Sequence, residues 1–264
     1  MHNFAYHRPS SISDAAKALA GGSDTKIIAG GQTLLPTLKL RLASPSDLID
    51  LAGVAELKGI KAEGEGITIG AMTTHAEVAS SAAVKNAIPA LAALAGGIGD
   101  NQVRNRGTIG GSVANNDPAA DYPSAVLALG ATIRTNKREI KADDFFKGMF
   151  ETALGEGEII TAIHFPKPEK AGYAKFRQPA SLFALTGVFV AKIKDGVRVA
   201  VTGAGPGVFR SKEIEAALSS NFSADAVKGV KVPSSGLNSD LHGSPEYRAH
   251  LISVMASRAV AAAS

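Results

Sequence analysis

The sequence predicts an α+β fold, with two N-terminal α/β units and a C-terminal antiparallel sheet flanked by helices. Three observations predict it. Short strand-like runs alternate with helical spacing up to residue 55; two alternating runs joined by a Glu/Gly turn then open a second unit; and beyond residue 171 two β-rich runs meet at "KDG", a hairpin signal, before the pattern turns helical. The expected units are therefore residues 1–55, 56–166 and 172–264.

In the first unit, "SISDAAKALAGG" places Ser and Asp at a helix start and Gly21 and Gly22 at its stop. "KIIAG", "TLLPTLKLRL" and "DLIDL" then read as strand, helix and strand. In the second, "LKGIKAEGEGITIGAMTTH" reads as a hairpin, followed by the helical stretches "HAEVASS", "AVKNAIPALAALAGG" and "ADYPSAVLALGA" and the strands "ATIRT", "REIKA" and "EIITAIHF". The Pro- and Lys-rich "FPKPEKAGYAKF" reads as a boundary. The last unit contributes the hairpin "LFALTGVFVAKIKDGVRVAVTGAG" and three helical segments, each opened by Ser: "SKEIEAALSS", "SADAVKGV" and "SPEYRAHLISVMASRAVAAA".

Composition narrows the chemistry. The 264 residues hold 28 Lys and Arg against 24 Asp and Glu, scattered rather than gathered into a stripe, which speaks against nucleic acid as a partner. With no cysteine, this chain has no disulfides, thiol catalysis or cysteine-ligated iron–sulfur cluster or zinc. "MHNFAYHRPS" lacks the pattern of a signal peptide. The longest uncharged runs, Asn86–Gly99 and Gln178–Ala191, are shorter than the roughly twenty apolar residues of a spanning helix. A cytoplasmic protein is the expectation. No P-loop, G-x-G-x-x-G, H-E-x-x-H or G-x-S-x-G occurs.

Two glycine-rich segments stand out. "AGGQTLLP" (29–36) sits between a strand and a helix, where close backbone approach, consecutive N–H groups and the Thr33 hydroxyl suit phosphate oxygens; an ordinary tight turn is the alternative. "NRGTIGGSVANNDPAADYPSA" (105–125) reads as a loop of small polar side chains with Asp117 and Asp121, suited to sugar or polyol hydroxyls. Taken singly, Asp117 reads as an N-cap next to Pro118 and Asp121 as a plain N-terminal helix acid. Together the two segments imply a dinucleotide spread between two units. Arg104 and Arg106 flank the second segment, where a structural salt bridge is preferred over phosphate pairing. His75 follows two candidate capping threonines, which places it on a solvated first turn.

"AGGQTLLP" resembles the A-G-G-x-[ST]-L-[LIV]-P segment, and "TIGGSVANNDPAAD" the T-[IL]-G-G-N-[IL]-A-x-A-x-P-x-[AS]-D segment, of the FAD-carrying medium subunit in the molybdenum hydroxylase family, the aerobic carbon monoxide dehydrogenase and xanthine dehydrogenase type. "IGAMTTHAEVASS", "YAKFRQPASLFALTGVFVA" and "LHGSPEYRAHL" extend the likeness over essentially the whole chain. The resemblance implies a PCMH-type FAD-binding fold, with FAD held between the two N-terminal units. It implies that Ala29, Gly30, Gly31, Gln32, Thr33 and Leu34 wrap the pyrophosphate, that Thr108, Gly110 and Gly111 complete the cradle, and that Asn115 and Asp121 face the ribityl chain. Lys175, in "YAKF", would lie close to the isoalloxazine; Phe183 is either a flavin shield or a core residue on a half-buried strand. Three positions depart from the family pattern: Ser112 for Asn, Gln32 for a frequent His, and Leu182 for a common Arg.

The resemblance implies an electron-transfer subunit without catalytic or metal-ligating residues of its own. Electrons would arrive from [2Fe–2S] clusters of a small subunit, fed by a molybdopterin-carrying large subunit, in a dimer of heterotrimers, and leave for an external acceptor. A self-contained FAD-dependent oxidase or reductase is the rival reading, and a flavin-free structural subunit a third. On this reading Asp121→Ala is expected to weaken FAD binding without unfolding the chain.

Overall fold

The computed structural model describes residues 1–22 and 24–264. Its first unit contains β1 (Ala5–His7), α1 (Ile12–Ala20), β2 (Thr25–Ile28), α2 (Leu34–Lys39) and β3 (Asp47–Asp50). The strands form a parallel sheet in the order β1-β3-β2. Ser11 caps α1 by accepting from the Asp14 N–H. Helix α2 is shorter than its apolar spacing predicts, and Arg41, at φ 58°, ends the turn that follows it. Ala15, Ile49, Leu51, Val54, Leu57, Met72 and Ile159 form a core that joins this unit to the next.

The second unit opens with the hairpin β4 (Ile60–Glu63) and β5 (Gly66–Gly70), then runs through α3 (His75–Ser80), α4 (Ala82–Ala87), α5 (Pro89–Gly96), α6 (Asn101–Arg106), α7 (Ile109–Asn115) and α8 (Tyr122–Ala128). β6 (Thr132–Thr135), β7 (Glu139–Lys141), α9 (Ala142–Phe145), β8 (Phe146–Gly148), β9 (Glu151–Thr152) and β10 (Ile160–Pro166) complete it. The main sheet is antiparallel, in the order β4-β5-β10-β6-β7, and β8 pairs with β9. The stretch read as a single helix, "AVKNAIPALAALAGG", is two. Pro89 excludes its predecessor from helical geometry, and Ile88 sits at φ −145°, ψ 76°. The stretch read as a polar loop is largely helical: Thr108 caps α7 through the Gly111 N–H, and Asn116, in the left-handed region, stops it.

The boundary read in "FPKPEKAGYAKF" shrinks to residues 167–169, because β10 runs to Pro166 and β11 (Lys170–Arg177) starts at once. β12 (Ala184–Ile193), β13 (Gly196–Thr202) and β14 (Phe209–Arg210) complete an antiparallel sheet in the order β11-β12-β13-β14, with α10 (Lys212–Ser220) and α11 (Pro245–Ala261) packed on it. "SADAVKGV" yields a single 3₁₀ turn, Asp225–Val227. So short a segment cannot repay helix nucleation, and Gly229 at φ 84° turns the chain away. Phe189, Ala191 and Ala200 of this sheet share one core with Leu91, Leu94, Val113 and Val126 of the second unit.

Candidate functional site

The first glycine-rich segment links β2 to α2. A Cβ on Gly30 would lie 2.2 Å from the Arg106 carbonyl oxygen and 2.7 Å from Gly107 Cα, so only glycine lets this loop rest on the connection between α6 and α7. Gly31 follows at φ 73°, a conformation costly for side-chain-bearing residues. Among the described residues, the N–H groups of Gly30, Gly31, Gln32, Thr33 and Leu34 find no acceptor. The Thr33 side chain makes no capping bond, and Gln32 and Thr33 are exposed. Adjacent unengaged donors at a surface loop are what an anionic oxygen cluster requires.

The second segment works differently. The Gly110 N–H donates to the Ala71 carbonyl at 2.9 Å, and a Cβ there would come within 2.5 Å of Ala71 Cβ. The Gly111 N–H donates to Thr108 Oγ1 at 3.1 Å, and a Cβ on Gly111 would approach Ala29 Cβ to 3.4 Å. These glycines use their donors within the chain; what they contribute is closeness, seating α7 against β5's exit and beside the first loop. Asn115, at the end of α7, is half-buried, and its side chain has no hydrogen-bond partner among the described residues. Asp117 caps no helix: its Oδ1 accepts from the Ala119 N–H at 2.8 Å, closing a local turn.

Asp121 stands at the N-terminus of α8, where the sequence places a helix acid, but its side chain makes no capping bond. Its carboxylate is 4% exposed and turns instead to β11. Lys175 Nζ lies 2.8 Å from Oδ1 and 3.1 Å from Oδ2, and the Tyr173 hydroxyl donates to Oδ1. The Lys175 side chain is itself only 4% exposed, so this is a dry ion pair. Burial raises the Asp121 carboxyl above its ordinary range, opposed by the charge and hydrogen bond of Lys175. Burial, then the charge of Asp121, raises the Tyr173 phenol well above its usual value.

Other expectations need correcting. His75 is buried rather than solvated: the Thr74–Glu77 capping box orders the first turn of α3, and the ring packs on Tyr122 with centroids 5.3 Å apart. Burial, with a smaller contribution from Arg104, lowers its pKa to about 4, so the ring is neutral. Among the described residues Arg104 makes no salt bridge; it closes α6 onto the preceding turn by donating to the carbonyls of Ile98 and Gly99, each at 2.8 Å. Arg106 is exposed and unpaired among the described residues. Phe183 is not a core residue; β12 starts one position later, and the ring is 46% exposed in a turn where Leu182 takes φ 62°. Sequence reasoning missed Tyr173, whose only signal was its position two residues before Lys175 on a strand. Cavities of about 480 Å³, beside β8 and β14, and about 780 Å³, beside α1, contain none of these residues. The two touching glycine segments mark the site.

Residues 2–168 match the family described as the FAD binding domain in molybdopterin dehydrogenase. The chain belongs to this family. It is 40% identical over 223 residues to the glyceraldehyde dehydrogenase medium chain of Sulfolobus acidocaldarius, covering 80% of this chain and 79% of that one. It is 39% identical over 220 residues to the carbon monoxide dehydrogenase medium chain of Hydrogenophaga pseudoflava, covering 78% and 77%. The solved structure of reconstituted CO dehydrogenase from Oligotropha carboxidovorans contains a chain that superposes with a TM-score of 0.91 at 32% identity, over 98% of this chain and 97% of that one. The family's PCMH-type FAD-binding fold accounts for the α+β architecture, and the protein is an oxidoreductase subunit. The residues suit the family's cofactor. The unengaged N–H row from Gly30 to Leu34 fits a pyrophosphate, and the free amide of Asn115 fits a hydroxyl-bearing chain.

Proposed function

We propose that this chain is the FAD-carrying electron-transfer subunit of a molybdenum hydroxylase, most like a carbon monoxide dehydrogenase medium subunit, working in the cytoplasm. It would stand between a [2Fe–2S] small subunit, supplied by a molybdopterin-carrying large subunit in a dimer of heterotrimers, and an external acceptor. The observation that carries this reading is the contact between the two glycine segments, which sets an unengaged donor row against helix α7. Bound FAD supplies one- and two-electron redox chemistry.

In this reading Ala29, Gly30, Gly31, Gln32, Thr33 and Leu34 bind the pyrophosphate. Thr108, Gly110 and Gly111 bring α7 close enough to close the cradle, Asn115 and Asp121 orient the ribityl side, and Lys175 holds a positive charge near the ring. Residues 1–55 and 56–166 hold the cofactor, and residues 172–264 bring Lys175 to it, a division supported by the three separate main sheets. Substrate choice lies outside the chain: relatives named for glyceraldehyde and for carbon monoxide are 40% and 39% identical to it. No helix among the described residues is long and apolar enough to cross a membrane. The test is the visible spectrum of the purified chain after incubation with FAD and removal of the excess. A dithionite-reducible flavin band at about one FAD per chain is expected. A folded chain that retains no flavin, alone or with its co-expressed partners, overturns the reading.

A further inference from the structure

We infer that Tyr173 is a positioning residue for the flavin: by donating its hydroxyl to Oδ1 of Asp121, it fixes how much of the Lys175 ammonium charge that carboxylate neutralises. This rests on the proposed reading, in which Lys175 neighbours the ring. Tyr173 and Lys175 are two apart on β11, so both side chains project from one face of the strand and reach the same carboxylate. The neighbouring strand prepares the place. Phe189 pairs with Tyr173 across the ladder and packs on its ring at 6.0 Å, while Gly187 pairs with Lys175. A Cβ on Gly187 would lie 2.7 Å from the Tyr173 hydroxyl oxygen, so the bare position leaves room for that hydroxyl to reach Asp121.

The electrostatics follow from dryness. With Asp121 and Lys175 both almost fully buried, each interaction of the carboxylate is felt at low effective dielectric. A hydroxyl bonded to Oδ1 spreads the carboxylate's charge and loosens its hold on the ammonium; Arg177 adds a second positive charge acting on Asp121. Without the hydroxyl, Asp121 neutralises Lys175 more completely and presents a more negative field, which disfavours an anionic reduced ring. A phenylalanine would fill the same space, so packing alone does not call for a buried hydroxyl at this position.

The experiment uses the full chain loaded with FAD and compares Tyr173→Phe and Gly187→Ala with the unmodified protein. It measures FAD stoichiometry, FAD dissociation constant, thermal midpoint and flavin reduction potential across pH. Tyr173→Phe is expected to keep one FAD per chain and lower the potential, so that the reduced-to-oxidised ratio at the wild-type midpoint falls about threefold to tenfold. Gly187→Ala, which retains the hydroxyl but displaces it, should shift the potential in the same direction. Full FAD binding with an unmoved potential in both variants, even with a lowered thermal midpoint, reduces Tyr173 to a structural role and overturns the inference. Failure of the wild-type chain to bind FAD overturns the underlying reading instead, and the inference with it.

Discussion

At Asp121, one carboxylate serves both the proposed site and the stability of the chain. The sequence alone suggests a removable ligand group, so that alanine would cost FAD and leave the fold intact. The dry pair with Lys175 reverses that expectation. Removing Asp121 leaves an ammonium and a phenol buried without their acceptor, and breaking a buried ion pair from one side costs about 3–5 kcal/mol. Asp121→Ala is therefore expected to lower the urea midpoint by an amount equivalent to roughly 3 kcal/mol. Asp121→Ala combined with Lys175→Met should recover much of the loss, because no charge then remains stranded. A single mutant within about 1 kcal/mol of wild type would mean that Lys175 reaches water. The pair itself was not legible, since it joins residues 54 apart on a helix and a strand of different units. The glycines were legible because their constraint is local.

At the scale of elements, the second sheet is clamped by charge as well as packing. Glu158, 5% exposed, precedes β10 and accepts from Arg138 at 2.9 Å and from the Gly155 N–H at 2.7 Å. The Arg138 guanidinium, helped by that N–H and by Thr135 and opposed by burial, holds the Glu158 carboxyl down at about 2. A depressed carboxylate contributes stability in full above its unfolded value of 4.5 and loses it as pH falls through about 2. Because Arg138 is half exposed, solvent screening reduces what the depressed carboxylate contributes. Glu158→Gln should therefore destabilise the chain at pH 7 and flatten the loss of stability between pH 4.5 and 2, read as urea midpoint against pH. An unchanged acid slope would place the proton uptake elsewhere. Local signals gave the hairpins, whereas the stretch that breaks at Ile88 before the proline reads from sequence as one helix. Nor could they place β10 between β5 and β6, because its pairing with β5 joins residues such as Pro166 and Gly66, far apart in the chain, and its pairing with β6 reaches across β7 to β9.

Across the whole molecule, the glycine segments are where the first sheet's unit meets the second. Gly30 lies on the Arg106–Gly107 backbone, and Ala29 faces Gly111, so a cofactor bound there bridges two parallel and antiparallel units that otherwise meet through a small apolar core. The motif could be read from the sequence, but its mechanical role could not, because each loop's partner belongs to the other unit. Binding to the native state alone stabilises it by about 2.7 kcal/mol at a hundredfold excess over Kd, which for a chain of this size raises Tm by about 5–10 °C. Gly30→Ala places a methyl against backbone that has no rotamer to yield, so the loop must lift from α7. The expected result is a folded protein with a lower Tm, by about 1–3 kcal/mol of overpacking, and no further rise on adding FAD. Gly207→Ala, whose added Cβ meets nothing within 4 Å, should keep the full FAD-dependent rise. A Gly30→Ala chain that still gains the wild-type increment would show that the contact between the two loops is not part of the binding site.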